Sequence, residues 1–213
     1  MAHPGITLTI STDSSTALET KIEQGAPADV FLSADTRNPQ TLVDRGLASG
    51  DVTNFTGNLL TVIVPTDNPA GITTPADLAN GGVKIIACAE GVPIQKYTST
   101  LLDNLAKVAG YPADFAAKST ANVVSKEDNV GAIVTKVGLG EGDAGVVYVT
   151  DARTSDRVAT VDVPAEANVP ATYGWVVVKV SRSQGAADAF MSWLAGADGQ
   201  AILASFGFQP PAS

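Results

Sequence analysis

The chain has 213 residues, 45% hydrophobic and 16% charged, a balance that supports an ordinary packed core and excludes a disordered chain. Its formal net charge of -9 sets up a negative field that repels nucleic acid and anionic membrane surfaces, so neither is expected as a partner. Cys88 is the single cysteine and excludes an internal disulfide, and no apolar run reaches the roughly 18 residues of a membrane span, so direct membrane insertion is not expected.

In chain order, Ile6-Thr-Leu-Thr-Ile10 alternates apolar residues with threonine, which predicts a strand. Asp13, Ser14, Ser15 and Thr16 are N-cap types, and Ala17, Leu18, Lys21 and Ile22 continue at helical spacing until Gly25 and Pro27 stop the helix. Val30-Phe-Leu32 is then a short buried strand. A hydroxyl-rich helix start gathers free N–H groups, the positive end of the helix dipole and O–H donors, and so suits an oxyanion. Read locally, without other evidence, Ser14 and Ser15 are better explained as simple helix caps, since N-cap serines are common.

Pro39 to Leu47 has helical spacing, and Asn58 to Pro65 is a nearly continuous apolar strand. The Pro/Gly/Asn/Asp-rich stretch from Pro65 to Pro75 predicts a crossing between lobes. Further elements are a short helix at Pro75, a buried strand from Val83 to Ala89 containing Cys88 as a small hydrophobe, and a helix from about Ile94 to Ala109. Lys126-Glu-Asp128 leads into an amphipathic helix carrying Val130, Ile133, Val134 and Val137. Gly138-Leu-Gly-Glu-Gly142 follows a helix and precedes a strand, the reverse of the order a phosphate loop requires. The strand Ala144 to Val149 carries Tyr148 to its C-terminal end, where open α/β sheets place ligands; a half-buried core tyrosine fits the same pattern. Strands at Val158 to Val163 and Tyr173 to Val180 and helices at Gln184 to Leu194 and Gly199 to Ser205 complete an α/β pattern. The crossing near 66 and the return near 172 predict two lobes, residues 1–65 with 173–213 and residues 66–172.

Ser14-Ser15-x-x-Leu18, followed by Ile22-Glu-Gln-Gly-Ala-Pro-Ala-Asp-Val-Phe-Leu-Ser-Ala-Asp35, resembles the signature of the molybdate-binding proteins of ABC importers. The likeness continues through Gly91-Val-Pro93, Glu127-Asp-Asn-Val130, Gly145-Val-Val-Tyr148-x-x-Asp151-Ala152 and Phe206-Gly-Phe208, nearly the whole chain. It implies a two-lobed type II periplasmic-binding-protein fold, each lobe a mostly parallel sheet flanked by helices, with the ligand cleft between them. It also implies that molybdate or tungstate is held by neutral hydrogen-bond donors and delivered to an ABC permease. Location would be the periplasm or extracellular face, with leader or lipid anchor removed. By position, the oxyanion would meet Ser14, the hydroxyl and N–H of Ser15, the backbone N–H groups of Ile94 and Val130, and the phenol of Tyr148. No cofactor and no metal beyond the oxyanion is implied.

Ile94 stands where small residues are usual, a change that a backbone donor tolerates. Family members also begin with a strand, a serine-bearing loop and a first helix, whereas Gly5 already aligns near the second strand. Loss of that unit removes roughly two donors, about 3–6 kcal/mol of contact, and leaves a sheet slot that predicts strand exchange or dimerisation. Other oxyanions (sulfate, thiosulfate, phosphate) remain open, with Asp13 as the discriminating carboxylate, as does a truncated form with impaired binding. Catalysis is not expected: the sole histidine is His3, Cys88 has no histidine partner, and no metal-ligand cluster or nucleophile elbow occurs.

Overall fold

A computed structural model describes residues 7–211, which fold into two lobes, each built on its own sheet. The first sheet has β8 (Ala171–Val178) between β1 (Val30–Ser33) and β2 (Ala48–Asn58), both antiparallel to it, with Phe31 opposite Val176 and Thr53 opposite Trp175. On one face, Ile22 of α1 (Ser15–Glu23) and Leu42 of α2 (Arg37–Asp44) pack on Phe31, Val176 and Val178. The other face is covered by α7 (Gln184–Ala195) and α8 (Ala197–Ser205), whose Met191, Leu194 and Leu203 meet Phe55 and Trp175.

The second sheet runs β5 (Val123–Glu127), β4 (Ile85–Cys88), β6 (Ala144–Tyr148), β3 (Leu60–Pro65), β7 (Val158–Val161). Only β4 with β5 and β4 with β6 are parallel; β3 is antiparallel to both its neighbours. A 3-10 turn (Pro75–Ala79) and the helices α3 (Pro93–Leu105), α4 (Phe115–Ala121), α5 (Val130–Gly138) and α6 (Val149–Ala152) complete this lobe. They enclose the larger core, with Phe115, Ile133, Leu101 and Leu105 fully buried.

The α/β class and the two lobes agree with the sequence, while three expectations are corrected. The apolar run from Asn58 to Pro65 is not one strand of the first lobe. The chain leaves the first sheet at Asn58, and Leu60–Pro65 becomes β3, so the lobe boundary lies at residue 59 rather than 65, and the return enters the first sheet at Ala171. All six β3 residues are buried, which suits a strand covered on both faces in the larger sheet. Neither sheet is mostly parallel: the first is antiparallel throughout, because β8 arrives from the other lobe and runs against both neighbours, and the second has two parallel and two antiparallel pairings. Finally, Thr7–Ile10 is not a strand: it pairs with no strand among the described residues, and Leu8 is 58% and Ile10 80% exposed. Alternation makes a segment compatible with a strand, but only a partner ladder makes it one. Ile6, which opened that pattern, lies outside the described residues.

The two crossings between lobes are stitched together by asparagines. Asn168 accepts from the Leu60 N–H at 3.0 Å and donates to the Leu60 carbonyl at 2.8 Å. Fully buried Asn58 donates to Thr150 Oγ1 at 2.8 Å and Tyr173 Oη at 3.2 Å. Nearby, Gly57 exchanges backbone bonds with Gln209 at 2.8–2.9 Å, and Phe208 meets Tyr173 edge-on, which holds the C-terminal segment against the crossing.

Candidate functional site

A cleft of about 410 Å³ lies between the lobes. Its walls include Thr12 to Ser15 and Ala34 from the first lobe and Val92 to Ile94, Asn129 to Gly131, Tyr148 and Asp151 from the second, with Tyr173 at the junction. All five residues singled out in the sequence, Ser14, Ser15, Ile94, Val130 and Tyr148, are therefore brought together there. None of the lining residues is a lysine or arginine.

Local sequence explains each contribution. Ser14 is the N-cap of α1: its Oγ accepts from the Ala17 N–H at 3.4 Å, and its own N–H donates to Asp13 Oδ1 at 2.8 Å. That leaves Ser14 a hydroxyl proton but no free N–H, so the free amides begin at Ser15. Ser15 is buried, its Oγ accepts from the Ala34 N–H at 3.0 Å, and its O–H and N–H have no acceptor among the described residues. At the far end of α1, Gly25 at φ +89° gives the left-handed residue that closes a paired cap, donating to Ile22 while Ala26 donates to Lys21.

Across the cleft, Pro93 opens α3 at the position where a missing N–H costs nothing, so the Ile94 amide is the first one free. Asn129 caps α5 by accepting from the Ala132 N–H at 3.0 Å, and the Val130 and Gly131 amides have no acceptor among the described residues. Three helix N-termini thus face one cleft, each with its dipole's positive end inward.

Tyr148 ends β6 and is 2% exposed, yet its Oη has no hydrogen-bond partner among the described residues. Tyr97 and Tyr173 hold its ring edge-on at centroid distances of 6.3 and 5.6 Å. Burial drives its pKa far above the ordinary tyrosine value, so the group is a neutral O–H donor at any physiological pH.

Two carboxyls also line the cleft. Asp13 is engaged at the rim: its Oδ2 takes the Lys21 ammonium at 2.7 Å, and this bond, with the one from the Ser14 N–H, holds it below the usual carboxylate range. Asp151 is different, because burial pushes its pKa up to about 6 and no cation offsets that. Cys88 is buried and its thiol is pushed up to about 12 by that burial, which makes it an inert hydrophobe. Among the described residues no cluster of histidine, cysteine or carboxylate side chains could hold a metal ion, and no helix is long and apolar enough to cross a membrane.

Sequence reasoning missed three residues of this site. Asn129 follows the N-cap rule and was legible on that ground. Thr16 donates its Oγ1 proton to the Gly91 carbonyl at 2.7 Å, joining the two lobes beside the cleft, and Asp151 lines it; the sequence offers Thr16 only as an N-cap type and Asp151 only within the resemblance motif.

Residues 1–209 match the model of a family described as bacterial extracellular solute-binding protein. The chain is 33% identical over 210 residues to the molybdate-binding protein ModA of Mycobacterium tuberculosis, covering 98% of this chain and 76% of the relative. It is 31% identical over 208 residues to a putative ABC transporter substrate-binding lipoprotein, YvgL, of Bacillus subtilis, covering 97% and 76%. Among solved structures, the periplasmic molybdate-binding protein of Azotobacter vinelandii superposes with a TM-score of 0.79 at 25% identity, covering 98% of this chain and 90% of that one. The sulfate-binding protein SubI of Mycobacterium tuberculosis shares the fold, with a TM-score of 0.79 at 24% identity over 92% of this chain and 74% of that one. The chain belongs to the bacterial extracellular solute-binding protein family and is a binding protein, not an enzyme.

Proposed function

We propose that the protein binds a tetrahedral oxyanion, molybdate or tungstate, in the cleft between its lobes and delivers it to an ABC importer. The observation that carries this reading is the buried, unpartnered phenol of Tyr148, a residue that lines a cleft with no lysine or arginine in its walls, which three helix N-termini also face. A fully deprotonated dianion needs donors alone. Ser14 and Ser15 would give O–H groups, Ser15, Ile94 and Val130 backbone N–H groups, and Tyr148 its phenol. Hydrogen bonds to a charged group contribute about 1.5–3 kcal/mol each, so such a set suffices for sub-micromolar affinity without a salt bridge.

The cleft's 410 Å³ equals the share of about fourteen waters at ~30 Å³ each, more than a five-atom ion occupies. Hinge closure at the Asn58 and Asn168 crossings would bring the donors onto the ion. The molybdate-binding relatives and the ABC transporter substrate-binding relative support the ligand class and the permease partner. Isothermal titration with molybdate in excess sulfate tests the reading. Near-stoichiometric heat is expected; heat with sulfate alone, suppressing that with molybdate, would move the assignment to sulfate.

A further inference from the structure

Asp151 is out of keeping with a cleft that receives a dianion. It lines that cleft one turn beyond Tyr148, and no other residue's donor reaches its carboxyl among the described residues. The surroundings supply no counter-charge either. Of the elements packed against α6, β3 and β7 carry no titratable side chain, β6 brings the neutral Tyr148, and α5 brings Lys136, which is spent on Glu127 at 2.7 Å. Cys88 of β4 and Tyr173 of β8 also sense the Asp151 charge, and both are held neutral by burial. Arg153, the next charged residue in sequence, lays its guanidinium against Gly207. In the first lobe, Asp13 faces the cleft as an anion already paired with Lys21.

An ionised carboxylate and a dianion in one low-dielectric cleft repel strongly, whereas a protonated carboxyl is one more O–H donor. We propose that the protein takes up a proton together with a fully deprotonated oxyanion, and that Asp151 is the residue that holds it. The inference rests on the oxyanion reading above. No bond other than the O–H of the Asp151 carboxyl forms, and the proton comes from solvent. Asp151 thereby sets a specificity. An oxyanion that carries its own hydroxyl proton would donate to ionised Asp151 and need no uptake.

Burial pushes the Asp151 carboxyl up to about 6, so the linkage has a defined window. Below that value Asp151 is already protonated and affinity does not depend on it. Above it the proton must be drawn from solvent, and affinity falls by up to about tenfold per pH unit until the pKa of the complex is reached. The test is calorimetric titration of the full chain with molybdate at pH 7.5, in non-oxyanion buffers of high and low ionisation enthalpy, repeated from pH 5.5 to 8.5. The expected result is buffer-dependent heat corresponding to nearly one proton taken up per oxyanion at pH 7.5, falling towards half at pH 6. In Asp151→Asn the uptake and the pH slope should both vanish. Tight binding with buffer-independent heat, or uptake that survives in Asp151→Asn, would overturn the inference while leaving the oxyanion reading intact. Absence of heat at every pH would remove both. Should the variant fail to fold, the wild-type buffer comparison decides alone.

Discussion

Replacing Tyr148 by phenylalanine separates what the phenol does for the fold from what it does for the ligand. The hydroxyl is buried and unpaired, and such a group costs the folded state about 1–3 kcal/mol. Phenylalanine removes that cost and retains the edge-to-face packing against Tyr97 and Tyr173. The unliganded variant should therefore be at least as stable as the wild type, with Tm rising by about 2–4 °C for each kcal/mol recovered in a chain of this size. Binding should move the other way. One hydrogen bond to a charged acceptor is worth about 1.5–3 kcal/mol, so Kd for molybdate should rise about tenfold to 150-fold. Thermal unfolding without ligand and calorimetric titration with it give the two numbers. A variant that melts lower and binds unchanged would refute the reasoning, since the phenol would then be bonded inside the fold.

Other perturbations test the frame around the cleft. Thr16→Val deletes the 2.7 Å bond to Gly91 that joins the lobes; a neutral bond worth about 0.5–1.5 kcal/mol should speed ligand release by up to about tenfold in stopped-flow. Lys21→Ala strips Asp13 of its counter-charge at the cleft rim, and oxyanion affinity should drop a few-fold at low salt and recover at high salt, as expected for a screened surface charge. Glu19 is buried on α1, and burial, then Glu23, raises its pKa from 4.5 to about 7. Because the folded state holds that proton longer than the unfolded one, stability from this group is full below about 4.5 and is lost as pH rises towards 7. Denaturant midpoints should accordingly fall between pH 5 and 8, and Glu19→Gln should flatten the decline and raise the midpoint at pH 8.

Caps, turns and periodicity were legible because they are settled within a few residues. Ser14 caps α1, Gly25 closes it, Pro93 opens α3, and Asn129 precedes the apolar face of α5; each follows from local chemistry. The clustering of Ser15, Ile94, Val130 and Tyr148 followed from resemblance, since nothing local says that three helix starts share one cleft. Strand β2 escaped notice because Gly50, Asp51, Asn54 and Gly57 are poor strand formers. Its bulged pairing with β8 is made by residues more than a hundred positions away.

The opposite error arose at Thr7–Ile10, where alternation promised a strand and no neighbour among the described residues supplies a ladder. The lobe boundary moved for a related reason: an apolar run states that a strand is buried, not in which sheet. The amino-acid sequence by itself thus determined most of the helices and buried strands, the donor-rich helix starts and the solute-binding family. Only the tertiary structure decided that β3 belongs to the second lobe, that Asp13 is neutralised by Lys21, that the Tyr148 phenol is buried without a partner among the described residues, and that Asp151 lines the same cleft. Those outcomes depend on burial and on contacts between residues distant in the chain, such as Asn58 with Tyr173 across 115 positions, which no local pattern encodes.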